Sequence, residues 1–273
     1  MCRTGVSQPV LLVGAGRIGG ALLKGWIAGD IGPIGVVEPR PSSDLRKLAR
    51  LHGIPLWEKI ERLATPPRAC VIALKPQVLR IEAGQLKAVA QSGALMVSVA
   101  AGTTIALLCG VWGRKARIIR AMPNTPGRIG QGISALYAGR GTTSQDRRLA
   151  EALLTALGET LWVRRETLID AVTAVSGSGP AYVFLLVEAL AEAACAGGLP
   201  RSDAEKLARA TVAGAGALLR VDKRSAAELR KEVTSPGGTT EAALKILLRA
   251  NGIRSLIGRA VHAAKMRAED LGR

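Results

Sequence analysis

Aromatic and histidine residues are scarce in this chain, and their scarcity argues against two kinds of site. Phe, Trp and Tyr make up 3% of the 273 residues, which leaves few rings on which nucleic-acid bases could stack. Histidine occurs at positions 52 and 262 alone, so a histidine-based metal site is not expected. We predict no metal centre.

Cysteine is also sparse, and its spacing matches no structural site. Cys2, Cys70, Cys109 and Cys195 have neither the CxxC spacing of a metal site nor the density of a disulfide framework. This pattern is typical of a reducing compartment, and we predict a cytoplasmic protein.

Long apolar runs are absent from the sequence as well. No stretch reaches the ~18 uninterrupted apolar residues of a membrane span, and the most apolar segment, residues 181–196, carries Glu188 and Glu192. The amino-terminal apolar run is short and ends in glycines, unlike that of a signal peptide. We predict no association with a membrane.

Acidic residues are outnumbered, with 21 Asp and Glu against 38 Lys and Arg and a net charge of +17. Such an excess could suit nucleic acid, but nucleic-acid footprints are usually clustered on one element. Here the basic residues are scattered, and their largest concentrations are pairs such as Arg164-Arg165 and Lys223-Arg224. We predict no nucleic-acid partner and a basic surface that favours anionic small molecules.

Hydrophobic residues make up 48% of the chain, enough for a sizeable core. The first half alternates short apolar runs with helical patterns, which indicates the βαβ units of a parallel sheet covered on both faces. The predicted strands are residues 10–15, 34–38, 69–74, 95–100, 117–122, 132–138 and 161–163. The predicted helices between them are residues 17–29, 43–52, 78–91, 104–111 and 144–157.

Past Arg165 the pattern predicts helices alone. They cover residues 167–175, 180–197, 201–220, 225–233, 239–250 and 253–271. We therefore predict a Rossmann-type α/β dinucleotide-binding domain over residues 1–165, followed by an all-helical substrate and dimerisation domain over residues 166–273. Residues 208–219 are apolar around most of a helix, and a bundle of this size can hardly cover such faces alone, so we predict a homodimer or larger assembly.

A dinucleotide fingerprint follows the first predicted strand and opens the first predicted helix. It consists of Gly14, Ala15, Gly16, Arg17, Ile18 and Gly19. Gly14 permits a tight turn, Gly16 lets the backbone approach a pyrophosphate, and Gly19 allows the helix to pack closely on the strand. The amides at the helix N-terminus then face the anion.

The end of the second predicted strand bears on which dinucleotide binds. Glu38 is suited to accept hydrogen bonds from a ribose 2'-hydroxyl and would repel a 2'-phosphate, which favours NADH. Arg40, with Ser42 and Ser43 near it, could instead hold that phosphate, which favours NADPH. These residues leave both alternatives open.

Two further strand ends belong to the same crevice, because ligands of open α/β sheets collect at the carboxyl ends of strands. They comprise Ala73, Leu74, Lys75 and Pro76 after one strand, and Val99, Ala100 and Ala101 after the next. Each stretch is equally compatible with an ordinary strand-to-helix turn.

Two polar turns complete the set of candidate residues. Asn124, between Pro123 and Pro126, could support the nicotinamide end of the cofactor or the substrate, or could bond its own turn. Residues 235–240 combine a breaker-rich loop with a helix that Thr239 or Thr240 is predicted to cap, which suits a small anion or simply begins a helix.

Three motifs in this sequence closely resemble those of the pyrroline-5-carboxylate reductase family. They are RAMPNTPG at residues 120–127, DAVTAVSGSGPAYVF at 170–184 and VTSPGGTTEAAL at 233–244. The resemblance runs over essentially the whole chain, and it implies hydride transfer from NAD(P)H to a cyclic imine, giving L-proline. It also inclines the cofactor prediction slightly towards NADPH.

The resemblance further implies roles for particular residues. Thr173 matches a candidate donor to the imine nitrogen, and the substrate carboxylate is implied to bind at Ser235, Gly237, Gly238, Thr239 and Thr240. Asp222 lies near an acidic position of the family, although a shifted register is possible. Three rival interpretations remain. They are an NAD(P)-dependent oxidoreductase of another imine, a 3-hydroxyacid dehydrogenase, which the absence of a lysine from residues 175–193 disfavours, and a non-catalytic NADPH-binding sensor.

Overall fold

The computed structural model describes residues 8–60 and 65–272. In these residues an eight-stranded sheet has the order β3-β2-β1-β4-β5-β6-β7-β8. The strands are β1 (Val10–Val13), β2 (Ile34–Val37), β3 (Leu56–Trp57), β4 (Ala69–Ile72), β5 (Leu95–Ser98), β6 (Arg117–Met122), β7 (Gly132–Ala138) and β8 (Gly158–Trp162). The predicted Rossmann-type α/β domain is confirmed.

Two strands differ from the prediction. β3 was not predicted, because a strand of two residues is too short to show a period of two. β7 runs antiparallel to β6 although a parallel sheet was predicted. The two are joined by residues 123–131 alone, and a parallel crossover needs a connection of a dozen or more residues.

Helices alternate with these strands. They are α1 (Arg17–Ala28), α2 (Ser43–Leu51), α3 (Pro76–Glu82), α4 (Lys87–Gln91), α5 (Ile105–Trp112) and α6 (Ser144–Leu154). Local sequence fixes several of their starts. The Ser42 hydroxyl accepts the Leu45 N–H at the start of α2, and Thr143 and Asp146 form a capping box at the start of α6.

A buried apolar layer lies on each face of the sheet. Alternate residues of β1 point to opposite faces, so that Leu12 packs in one layer with Trp26, and Leu11 in the other with Trp112. Each indole N–H bonds a backbone carbonyl at 2.7 Å, that of Leu153 and that of Ala83 respectively. The two tryptophans are therefore buried without leaving a polar group unpaired.

The parallel strands place the candidate cofactor residues at one edge. β1, β2, β4, β5 and β6 run parallel to one another in adjacent pairs, so their carboxyl ends meet at the same edge of the sheet. The glycine loop follows β1, Glu38 follows β2, and Ala73 and Val99 follow β4 and β5. This edge is where an open α/β sheet binds its ligand.

Past β8 the described chain is helical, as predicted. It contains α7 (Leu168–Val172), a π-helical turn (Thr173–Gly177), α8 (Gly179–Ala196), α9 (Arg201–Val221), α10 (Ala226–Glu232), α11 (Thr239–Leu247) and α12 (Ile253–Leu271). The chain forms two compact units: one extends to Gly177 and takes in the chain from Ala264 onward, and the other is Ser178–Ala263.

Helix α8 exposes much of its apolar surface in the single chain. Val183, Phe184, Leu185 and Leu186 are each 43–63% exposed. The helical stretch Leu168–Ala196 is also long and apolar enough to cross a membrane by length and composition, which the search for uninterrupted apolar runs did not predict. An exposed apolar face of this extent is typical of an interaction surface.

Candidate active site

The glycine loop after β1 has the tight packing that the fingerprint requires. Gly14 has a φ of +87°, where a side chain would be strained. A Cβ at Gly19 would lie 2.0 Å from the Gly14 carbonyl oxygen and 3.2 Å from the Ala73 Cβ, so α1 packs against the loop at backbone distance. Glycine is therefore obligatory at both positions.

Gly16 differs from the other two glycines of the fingerprint. A Cβ there would meet no atom within 4 Å, and Gly16 is the N-cap of α1 without a side chain that caps the helix. Its glycine thus keeps open the space in front of the first amides of α1. A dinucleotide pyrophosphate fits this cradle, because helix N-terminal N–H groups bind an anion that can approach them closely.

Glu38 lies against the same loop. Its carboxylate accepts the Ala15 N–H at 2.8 Å through Oε2 and the Arg40 N–H at 3.1 Å through Oε1. The Arg40 residue itself is exposed. The structure thus places Glu38 at the fingerprint and fixes its position, whereas Arg40 contributes a backbone N–H to that arrangement.

Two cavities adjoin the loop. The first, of about 380 Å³, opens beside β1, β2 and β4 and has a largely apolar wall, which suits a planar heterocycle. That wall includes Val13, Val37, Pro39, Leu74, Val78 and Leu86. The second, of about 360 Å³, has a mixed lining that includes Ala15, Gly16, Arg17, Lys24, Ser42 and Arg128.

The strand ends after β4 and β5 lie where they were predicted. A Cβ at Gly14 would approach Leu74 to 2.9 Å, so the loop after β4 touches the glycine loop. Lys75 is extended and exposed directly ahead of Pro76, the first residue of α3, as a residue before proline must be. After β5, Val99 bonds the Ile72 carbonyl at 3.0 Å, next to the buried Ala100.

Asn124 has a structural contact in the turn between β6 and β7. Its Oδ1 accepts the Ile133 N–H at 3.0 Å and leaves no room for a side chain at Gly132, where a Cβ would lie 2.6 Å away. The side-chain oxygen therefore joins the start of β7 to the turn.

Thr173 begins the π-helical turn that follows α7. It is half-buried, and its Oγ donates to the Ile169 carbonyl at 2.8 Å. A Cβ at Gly177 would lie 2.8 Å from the Met122 Cε, which places the turn against the end of β6. The Ser176 hydroxyl is buried there without a hydrogen-bond partner in the described part of the chain. Wider π-helical turns are frequent at functional sites.

A buried ion network that the sequence analysis missed holds this segment. Arg120, 2% exposed on β6, lies 3.2 Å from the Glu166 carboxylate and 3.4 Å from that of Asp170. Glu166 also accepts the Ile105 N–H at the start of α5. The network joins β6 and α5 to the helix that leads into Thr173. The sequence does contain a signal for this network, an arginine inside an apolar strand, because a buried guanidinium requires carboxylate partners.

Removing the guanidinium should destabilise this unit. We expect Arg120→Met to lower the free energy of unfolding by about 2–3 kcal/mol, because two partly buried carboxylates lose their counter-charge. Thermal unfolding and urea titration measure the loss. Arg201→Met is the matched control: Arg201 pairs with Glu205 on an exposed helix face, and its loss should cost less than about 0.5 kcal/mol. Equal losses would contradict the structural role assigned to Arg120.

In the second unit, the loop before α11 corrects one prediction. The helix is capped by Gly238 and not by Thr239 or Thr240, which lie in its first turn. Gly238 is extended and has no side-chain oxygen, and a Cβ there would lie 2.5 Å from the Ser235 Oγ, which would have to move. The Gly237 N–H, at a φ of +70°, donates to the Glu241 carboxylate at 2.9 Å.

Asp222 is engaged at the end of α9. Arg224 donates to both of its oxygens, with the shorter contact at 2.7 Å, and this hydrogen bonding lowers the pKa of Asp222 to about 2. Arg224 also contacts Glu232 at 2.6 Å. The contacts of Asp222 are therefore with its own turn.

Comparison with known proteins identifies two family models in this chain. Residues 166–271 match the model for pyrroline-5-carboxylate reductase dimerisation, and residues 9–102 match the model for NADP oxidoreductase, coenzyme F420-dependent. The chain is 37% identical to the pyrroline-5-carboxylate reductase of Pseudomonas aeruginosa, over 96% of both chains. It is 40% identical to that of Mycobacterium leprae, also over 96% of both.

Solved structures agree with the sequence comparison. The pyrroline-5-carboxylate reductase of Coxiella burnetii superposes with a TM-score of 0.90 at 35% identity, over 98% of this chain and 99% of that one. The Plasmodium falciparum enzyme, whose structure contains NADP, gives a TM-score of 0.81 at 26% identity, over 97% and 98%.

Proposed function

The chain belongs to the pyrroline-5-carboxylate reductase family, and we propose how its own residues carry out that reaction. The protein is an NAD(P)H-dependent oxidoreductase of proline biosynthesis: a hydride passes from the reduced nicotinamide to the imine carbon of pyrroline-5-carboxylate, giving L-proline. The observation that carries this conclusion is the similarity to named members of the family over 96% of the chain.

We assign the coenzyme to the carboxyl edge of the sheet. The first amides of α1 bind the pyrophosphate in front of Gly16, and the apolar cavity beside β2 and β4 receives the adenine. The wider cofactor set comprises Gly14, Ala15, Gly16, Arg17, Ile18, Gly19, Glu38, Arg40, Ala73, Leu74, Lys75, Pro76, Val99, Ala100, Ala101 and Asn124. In this assignment Val99, Ala100 and Ala101 offer a small-residue surface towards the nicotinamide end.

The substrate carboxylate is assigned to the loop before α11. Because Gly238 caps that helix without a side-chain oxygen, the first-turn amides of Thr239 and Thr240 are left to bind an anion. The positive φ of Gly237 turns the backbone so that a small ligand can approach. Ser235, Gly237 and Gly238 complete this proposed anchor.

Thr173 is proposed to orient the imine nitrogen. Its hydroxyl proton is engaged with the Ile169 carbonyl, and its oxygen retains a lone pair. A pyrroline imine that arrives protonated can donate its N–H to that oxygen, so no strong acid is needed from the protein. The hydroxyl then positions the nitrogen, and hydride addition to the adjacent carbon leaves a neutral secondary amine.

The protein is a homo-oligomer through its dimerisation domain. We propose that the dimer is the basic unit and that the exposed apolar residues of α8, among them Phe184 and Leu185, are covered by the partner subunit. We also propose that it acts in the cytoplasm, with no nucleic-acid or membrane partner.

Turnover tests the function and the carboxylate anchor together. We expect the purified protein to oxidise reduced nicotinamide when given pyrroline-5-carboxylate, with one L-proline formed per coenzyme consumed. 1-Pyrroline, which has the same imine and no carboxylate, should have a kcat/KM lower by roughly 100-fold, since charge-assisted bonds to the anchor contribute about 1.5–3 kcal/mol each. No turnover in protein that binds the coenzyme would refute the function, and equal rates for the two imines would refute the anchor.

A further inference from the structure

The Glu38 carboxylate is held in place by two backbone N–H groups of the protein. Each of its oxygens accepts one backbone N–H, Ala15 at 2.8 Å on Oε2 and Arg40 at 3.1 Å on Oε1. Ala15 belongs to the glycine loop, and Arg40 belongs to the turn that leads from β2 into α2. A half-buried negative charge is therefore fixed between the pyrophosphate loop and the turn beside the adenine cavity.

The unused hydrogen-bond acceptor positions of this carboxylate suit a diol. An ionised carboxyl group offers about four acceptor positions, and two are used by the amides, so each oxygen has one left. The 2'- and 3'-hydroxyls of an adenosine ribose could donate to these two positions. A 2'-phosphate has no such proton to donate and would bring a second negative charge to the same place.

A second carboxylate lies near the groups that could favour a 2'-phosphate. The Ser42 hydroxyl accepts the Leu45 N–H as the N-cap of α2 and retains its own proton for donation, but Asp44 adds another negative charge to the first turn of that helix. Arg40 is exposed, so its attraction to a phosphate is screened by solvent.

We propose that Glu38 makes this enzyme prefer NADH over NADPH, against the slight inclination towards NADPH that the family resemblance suggests. The inference rests on the proposed function, and it concerns the adenosine end of the coenzyme alone. The structure of the Plasmodium falciparum member contains NADP, and the preference for NADH is proposed for this chain alone.

Direct binding measures this preference without turnover. The dissociation constants of NADH and NADPH are obtained by titrating the full-length protein and following nicotinamide fluorescence. For the wild type we expect NADH to bind at least about tenfold more tightly, since like charges in contact cost more than 1.4 kcal/mol. Glu38→Gln should tighten NADPH binding and weaken NADH binding, so that the ratio falls to about one or reverses.

Asp30→Asn is the matched control. It alters an exposed carboxylate in the turn before β2, outside the assigned coenzyme contacts, and should leave both dissociation constants unchanged. Thermal unfolding verifies that each variant is folded. If Glu38→Gln does not fold, the ratio of the NADH and NADPH dissociation constants of the wild type still tests the inference. Tighter binding of NADPH by the wild type, or an unchanged ratio in folded Glu38→Gln, would overturn the inference and leave the reductase function intact. Failure to bind either coenzyme would instead overturn both.

Discussion

Gly19→Ala is expected to weaken coenzyme binding by roughly 1,000-fold. The new Cβ would lie 2.0 Å from the Gly14 carbonyl oxygen, so α1 has to move away from the loop. Two charge-assisted hydrogen bonds to the pyrophosphate, of about 2 kcal/mol each, would then be lost, and their sum corresponds to that factor. The displaced helix should also cost about 1–3 kcal/mol of stability through overpacking.

Alanine substitutions at two neighbouring glycines distinguish an effect on helix packing from an effect on coenzyme binding. Gly16→Ala meets no protein atom within 4 Å, so it should cost no more than about 1 kcal/mol of stability, the difference between glycine and alanine at an N-cap, while its methyl group enters the space assigned to the pyrophosphate and lowers affinity. Gly20→Ala places its Cβ 3.4 Å from the Ala15 carbonyl oxygen, an ordinary contact, and should affect neither quantity strongly. Full affinity in Gly16→Ala would show that the pyrophosphate lies elsewhere.

Thr173→Ala should lower kcat by roughly 100-fold, the scale of loss when a reacting group is misplaced by about 1 Å. The coenzyme dissociation constant should stay within twofold, because the assigned coenzyme contacts do not include Thr173. Steady-state kinetics with pyrroline-5-carboxylate, together with direct titration of NADH, measures both quantities.

Thr173→Ser provides the matched control. It retains the hydroxyl and its bond to the Ile169 carbonyl, so most of the activity should be recovered. If alanine and serine variants lose activity equally, the methyl group and the packing of the π-helical turn matter, and the hydroxyl does not orient the imine.

The sequence was informative where a local rule is strict. The glycine fingerprint predicted the turn after β1, because a positive φ at Gly14 and a backbone contact at Gly19 admit no other residue. Lys75 is likewise extended, since Pro76 excludes it from helical geometry. In both cases one residue type and its neighbour determine the local backbone conformation.

Other features depend on distant residues and were therefore missed. The structural role of Arg120 depends on its ion pairs with Glu166 and Asp170, which lie 46 and 50 residues further along the chain. The cap of α11 was placed one or two residues late, because a threonine hydroxyl can cap a helix, whereas the contact of Gly238 with Ser235 depends on the exact path of the loop. The engagement of Glu38 with the Ala15 N–H likewise depends on how β1 and β2 pair.

The most direct test of the central claim is to follow the hydrogen that is transferred. NADH carrying deuterium on the transferred position of the nicotinamide C4 is incubated with the protein and pyrroline-5-carboxylate, and the product is analysed by mass spectrometry and NMR. We predict L-proline with one deuterium, located on C5, the former imine carbon. Coenzyme oxidation without labelled proline, or label at any other carbon, would contradict the account.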